Sequence, residues 1–156
     1  MKTEKIGAVL YGIWGIAHVV GGLLMMRALM VGGAGSYLGT IATAVDPASL
    51  GAPVPAAANS VFAFHAFNLI WIGAFVVGIA PLNWRNSVAG FWLNLAVVGA
   101  TDIGLVATTL IPGYMALGDG LLGPLLLVGA VTFTIPGLLR RRAHSAGVPA
   151  TAPVSP

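Results

Sequence analysis

Residues 87–111 read SVAGFWLNLAVVGATDIGLVATTLI, a run in which Asp102 is the one charged side chain. A hydrocarbon core about 30 Å thick is crossed by roughly 20 helical residues rising about 1.5 Å each, so this stretch is long enough to span a bilayer. Residues 6–26, 61–80 and 121–139 meet the same requirement. The whole chain agrees: of its 156 residues 58% are hydrophobic and 7% charged, with a mean hydropathy of +0.95, whereas soluble domains carry about 25% charged residues. The expected fold is an all-α integral membrane protein, an antiparallel up-down bundle of four transmembrane helices occupying residues 1–142.

The connections support that topology. Residues 31–60, rich in Gly, Ala, Pro and Ser with a turn signal at Asp46-Pro47, form the long loop. The links at 81–86 and 112–120 are short enough to make successive helices antiparallel neighbours. After Arg140, Arg141 and Arg142 the Ala/Pro/Ser/Thr-rich residues 143–156 are expected to be a disordered tail. The first span is longer than a signal-peptide core and lacks a small-x-small cleavage site, so it is expected to remain as a membrane helix.

Lys2, Lys5, Arg85 and Arg140 to Arg142 fall on one side of this frame, against Arg27, Asp46 and Asp119 on the other. An excess of Lys and Arg marks the cytoplasmic side, so both termini are expected there, in a bacterial inner membrane. The net charge of +3 is spread over helix ends and gathers on no face, so no nucleic-acid partner is expected. With no cysteine in the chain, disulfides, thiolate catalysis and iron–sulfur clusters are excluded.

Counting from the helix ends places His18 about 12 Å, His65 about 6 Å, Asn68 about 10 Å and Asp102 about 8 Å below the outer surface of the core. Four polar residues from three helices thus share one layer. Tyr11, Trp14, His18 and Gly22 make one stripe on the first span; His65, Asn68 and Ile72 share a face of the second; Asn94, Thr101 and Thr108 form a heptad line on the third with Asp102 next to it. Small residues four apart, Ala17/Gly21, Ala74/Gly78 and Ala96/Ala100, are expected to admit close helix approach. A carboxylate inside a span costs roughly 2.5–3.5 kcal/mol on insertion scales and marks function by default. Beside a histidine it would fix the tautomer and raise the basicity of the ring.

His18, His65 and Asp102 are therefore the candidate catalytic residues. Asn68, Trp14, Trp71, Tyr11, Thr101 and Arg27 are the candidates for substrate contact, Arg27 through an anionic group. No glycine-rich phosphate loop, G-x-S-x-G or H-E-x-x-H motif is present, and no metal is assigned. In length, helix count and orientation of the termini, the chain resembles the DoxX-like group of small bacterial membrane proteins, some associated with quinone-linked electron transfer. The resemblance is one of architecture and carries over no functional residue.

Three functions fit these residues. The first is an enzyme working on a small lipophilic molecule by proton transfer, in an isomerisation, cyclisation or epoxide opening, with no cofactor and with residues 31–60 as a lid. The second is an electron-transfer subunit holding haem b between His18 and His65, with Arg27 for the propionates, or a quinone between histidine and Asp102. The third is a non-catalytic accessory subunit of a membrane complex or homo-oligomer, with the polar layer serving assembly.

Overall fold

The computed structural model describes residues 2–146, with side chains through residue 143, and among these there is no strand. Five helices make up the fold: α1 (Thr3–Gly39), α2 (Ala56–Trp84), α3 (Val88–Leu105), the short α4 (Leu117–Gly120) and α5 (Leu122–Ala146). The helical stretches Thr3–Gly39, Ala56–Trp84, Val88–Leu110 and Leu117–Ala143 are each long and apolar enough to cross a membrane.

Contacts between named residues fix the topology. Lys5 sits over Trp84 and Gly15 meets Gly73, so α1 and α2 run antiparallel. Glu4 pairs with Arg140 at 3.3 Å and Gly7 abuts Thr134, so α5 is antiparallel to α1. Gly90 against Asn83, and Asp102 beside Gly123, place α3 between α2 and α5. The four long helices therefore form a closed antiparallel ring in which α1 and α3 face each other across the interior. One end, the terminal end, carries the described ends of the chain and the α2–α3 turn; the opposite one is the loop end.

Several boundaries differ from those expected, each for a local reason. α1 continues to Gly39, through the first part of what reads as loop, because it turns at Gly33 instead of stopping there. Gly33 has φ 69° and ψ −162°, a conformation glycine adopts without steric cost. At 37 residues the helix would be about 55 Å long if straight, well beyond a hydrocarbon core. α2 begins directly after Pro55 and carries Pro81 in its last turn, so the irregular part of the long loop shrinks to residues 40–55. There Asp46 caps a 3-10 turn, Pro47–Gly51, by accepting from the Ala48 amide at 3.0 Å. α5 runs on to Ala146, past the expected start of the tail, and the rest of that tail lies outside the described residues.

Close approach also uses other positions than the small-residue pairs suggest. Gly21 and Gly78 have open space where a Cβ would stand. The seam is built instead on Gly15, Gly22 and Gly73: a Cβ on Gly73 would lie 2.5 Å from the Gly15 carbonyl oxygen, and one on Gly22 2.7 Å from that of Ala66. Backbones touch there, as small interfacial residues permit in membranes. At the terminal end a Cβ on Gly7 would overlap Thr134 and reach 2.8 Å from the Ala130 carbonyl. Tyr11, Trp14, Val76, Val98 and Ala130 form one buried cluster above that contact.

Candidate functional site

Toward the loop end the helices part around an open cavity of about 770 Å³, within the range of small-molecule sites. Its wall is mostly apolar: Ala17, Gly21 and Met25 of α1, Phe62, Leu69 and Ile72 of α2, Ala100, Gly104 and Leu105 of α3, and Leu122 and Leu126 of α5 are among the lining residues. The polar groups in it are Trp14, His18, Tyr37, Thr40, His65, Asn68, Thr101, Thr108, Thr109 and Asp119. Two loops tie together at this end, with the Ala44 amide donating to the Tyr114 carbonyl at 3.0 Å and the Ala116 amide to Thr43 Oγ1 at 3.0 Å.

The four-residue spacing of Trp14 and His18 stacks their rings, with centroids 3.5 Å apart and planes 18° from parallel. His18 Nδ1 lies 2.9 Å from the Trp14 carbonyl oxygen. A carbonyl can only accept, so Nδ1 carries the proton and, in the neutral ring, the lone pair is on Nε2. That nitrogen makes no protein hydrogen bond and is not a buried atom. His18 is thus presented to the cavity as a base or acceptor of fixed tautomer.

His65 stands on α2 with its Nδ1 2.5 Å from the Tyr37 hydroxyl. Tyr37 is 1% exposed and its ring stacks on Phe62 at 4.7 Å, so the phenol is held firmly while the imidazole borders open space. Asn68 accepts at Oδ1 from Trp71 Nε1 at 2.8 Å, which orients the amide and leaves its Nδ2 as a donor. Beyond α3, residues Val106–Leu110 wind as a π-helical turn, in which the Thr108 hydroxyl donates to the Gly104 carbonyl at 2.7 Å and that of Thr109 to Leu105 at 2.5 Å. Such turns recur at functional sites because the extra residue re-aims side chains.

Asp102 departs from the expected pairing with histidine. It is 3% exposed, and its Oδ1 accepts from Trp14 Nε1 at 3.1 Å, while Oδ2 has no partner. The indole interposes: Trp14 reaches across the interior from α1 to α3, takes the carboxylate as its acceptor, and offers His18 its face. Asp102 lies against Gly123, behind the cavity wall. Three other expected contact residues also lie off the cavity. Tyr11 is fully buried one turn below Trp14. Trp71 is 46% exposed and donates to Asn68, which does line the cavity. Arg27 is exposed on the outside of α1, turned away because α1 directs Met25, on another face, inward. Trp14, His18, His65, Asn68 and Thr101 do converge on one cavity.

Tyr37 escapes a sequence reading because it lies in a Gly-rich stretch that resembles loop. The available signal was the spacing Met25, Leu29, Gly33, Tyr37 and Ile41, in which Met25 and Tyr37 are now seen in one buried cluster. Among the described residues no three His, Asp or Glu side chains converge on a point that could hold a metal ion. Comparison with known protein families, with characterised proteins and with solved structures gives no match.

Proposed function

We propose that the protein is a membrane-embedded enzyme that takes a small lipophilic molecule into the loop-end cavity and rearranges it by proton transfer. The observation that carries this reading is the pairing of a mostly apolar cavity of about 770 Å³ with two imidazoles held in different hydrogen-bonding states. A molecule drawn from the bilayer loses little by entering such a wall, and its orientation is left to the few polar groups. His18 Nε2 takes a proton from the substrate, and His65 gives one from Nε2 at a second position as the Tyr37 hydroxyl passes its own to His65 Nδ1; transfer of the proton from His18 to the Tyr37 oxygen then restores both groups. Asn68 Nδ2 donates to a carbonyl or hydroxyl oxygen on which charge develops. Asp102 touches no substrate in this scheme; it positions Trp14, and through the stacked rings His18.

An isomerisation, a cyclisation or an epoxide opening all suit this apparatus, since each moves protons without net redox change. A haem b fits the residues poorly: no Lys or Arg lines the cavity, and Arg27, the expected propionate partner, is on the outer surface. The protein is proposed to lie in a bacterial plasma membrane with its termini cytoplasmic. In support, Lys2, Lys5, Arg85 and Arg141 border one depression at the terminal end, and basic residues mark the cytoplasmic side.

Deuterium labelling tests this reading with the substrate still unidentified. Purified protein is incubated in D2O with a lipid extract, and the extract is searched by mass spectrometry for a molecule that gains carbon-bound deuterium. The expected result is one such molecule with the native protein and none with His18→Ala. Deuterium gain that is equal for both proteins would rule the proposal out; its absence from both, with no ring-opened product formed by the native protein alone, would do the same.

A further inference from the structure

The terminal half of the bundle contains polar side chains that no protein group satisfies. Tyr11, Asn83 and Asn94 are each 0% exposed. The Tyr11 hydroxyl, the amide nitrogens and oxygens of both asparagines, Asn86 Oδ1 and Asp102 Oδ2 are buried without a hydrogen-bond partner. Inside a membrane such groups are costly and are retained where protein or water satisfies them.

Their positions form a ladder. At the terminal end a Cβ on Gly137 would lie 3.0 Å from Asn86 Oδ1, and one on Gly90 3.0 Å from Asn83 Oδ1. From Gly90, the inward positions of α3 follow at four-residue steps as Asn94, Val98 and Asp102, each step rising about 6 Å. Tyr11, one turn below Trp14 on α1, belongs to the same buried cluster as Val98, the α3 residue one step from both Asn94 and Asp102. The orphaned atoms thus run from the terminal end to the carboxylate behind the cavity wall.

We propose that a file of internal water threads Asn86, Asn83, Asn94 and Tyr11 and carries protons between the terminal face and Asp102. Buried waters typically make about three hydrogen bonds to otherwise unsatisfied polar groups, and the two amides and the phenol offer both donors and acceptors. A proton arriving at the terminal face adds to the first water, which releases one of its own to the next. The last water gives its proton to Asp102 Oδ2, converting carboxylate to carboxylic acid, and the reverse passage restores it. Use of that proton in turnover rests on the proton-transfer function proposed for the cavity; the file itself does not.

The absence of cysteine allows a direct test in reconstituted vesicles of known orientation. Asn94→Cys is compared with Val76→Cys, whose site is equally buried and belongs to the same core cluster as Tyr11, but is apolar. Silver ion, membrane-impermeant and close to a water molecule in size, reacts with thiolate, which forms only where water reaches. N94C is expected to react about tenfold faster than V76C or more, and only from the terminal face. Asn83→Cys serves the same purpose if N94C does not fold. Independently, exchange of the Asn94 side-chain amide protons with D2O, followed by NMR, is expected to slow about tenfold in Asn83→Leu, since Asn94 does not line the cavity. Equal reactivity of N94C and V76C, or unchanged exchange of the Asn94 amide, would overturn the file. An inert N94C in a protein that still deuterates its ligand defeats the file alone. A reactive N94C without ligand deuteration defeats the enzyme reading and leaves the file standing.

Discussion

In the terminal half of the bundle α1 meets both α2 and α5 through glycines, at Gly15 and at Gly7, whereas in the loop half α1 keeps its contact with α2 at Gly22 and a cavity of about 770 Å³ opens between that pair and the helices α3 and α5. The difference follows the order of residues along α1. Gly7, Gly15 and Gly22 face neighbouring helices, and Trp14, His18 and Gly21 face the interior. One helix therefore both clamps the bundle and lines its cavity. In hydrocarbon there is little hydrophobic force between helices, so the clamp depends on close packing and the spread half on hydrogen bonds that cross it.

The sharpest way to break this contrast is to spoil the clamp. Gly73→Val places a branched side chain where a Cβ alone would already stand 2.5 Å from the Gly15 carbonyl. Overpacking of this kind costs about 1–3 kcal/mol, or more where backbone must move, and reversible unfolding in mixed micelles should report a loss at or above that range. Trp14→Phe attacks the crossing tie. It removes the indole donor and leaves both Asp102 oxygens without a protein partner, so a loss of about 1–3 kcal/mol is expected in the same assay. A negligible change would mean that the α1–α3 tie contributes nothing to holding the bundle.

Smaller effects sharpen the picture of the cavity rim. Tyr37→Phe removes the bond to His65 but keeps the stack on Phe62. About 0.6 kcal/mol is expected, the usual scale of a hydrogen bond between membrane helices, together with a clear loss of ligand deuteration. Arg27→Ala is expected to change stability by less than about 0.5 kcal/mol and ligand binding not at all, because its side chain is exposed outside the cavity. A strong effect of Arg27→Ala on binding would return that residue to the site.

Much of this architecture was legible in the sequence, for a physical reason: four runs as apolar as residues 87–111 have no stable place in water, and short links between them leave antiparallel packing. The polar layer was legible too, since depth follows from counting helical rise, and His18, His65 and Asn68 do line one cavity. Rotation about each helix axis is harder to read. Asp102 faces inward as expected, but whether it meets an imidazole or an indole depends on a few tens of degrees and on the reach of Trp14. The seam glycines were missed because a chain with 22 glycines offers many small-residue pairs, and which ones touch is fixed by the packed ring. The bend at Gly33 hid Tyr37, since a Gly-rich stretch reads alike whether it ends a helix or turns it.

The central claim, that the loop-end cavity holds a lipophilic molecule, is tested most directly by native mass spectrometry of the protein released from mild detergent, compared with Gly104→Leu. Gly104 lines the cavity and has open space at its Cβ position, so the added side chain fills the site without disturbing the fold. A bound small molecule on the native protein that is lost from Gly104→Leu is the predicted result. No adduct on the native protein, or the same adduct on both, would contradict the account.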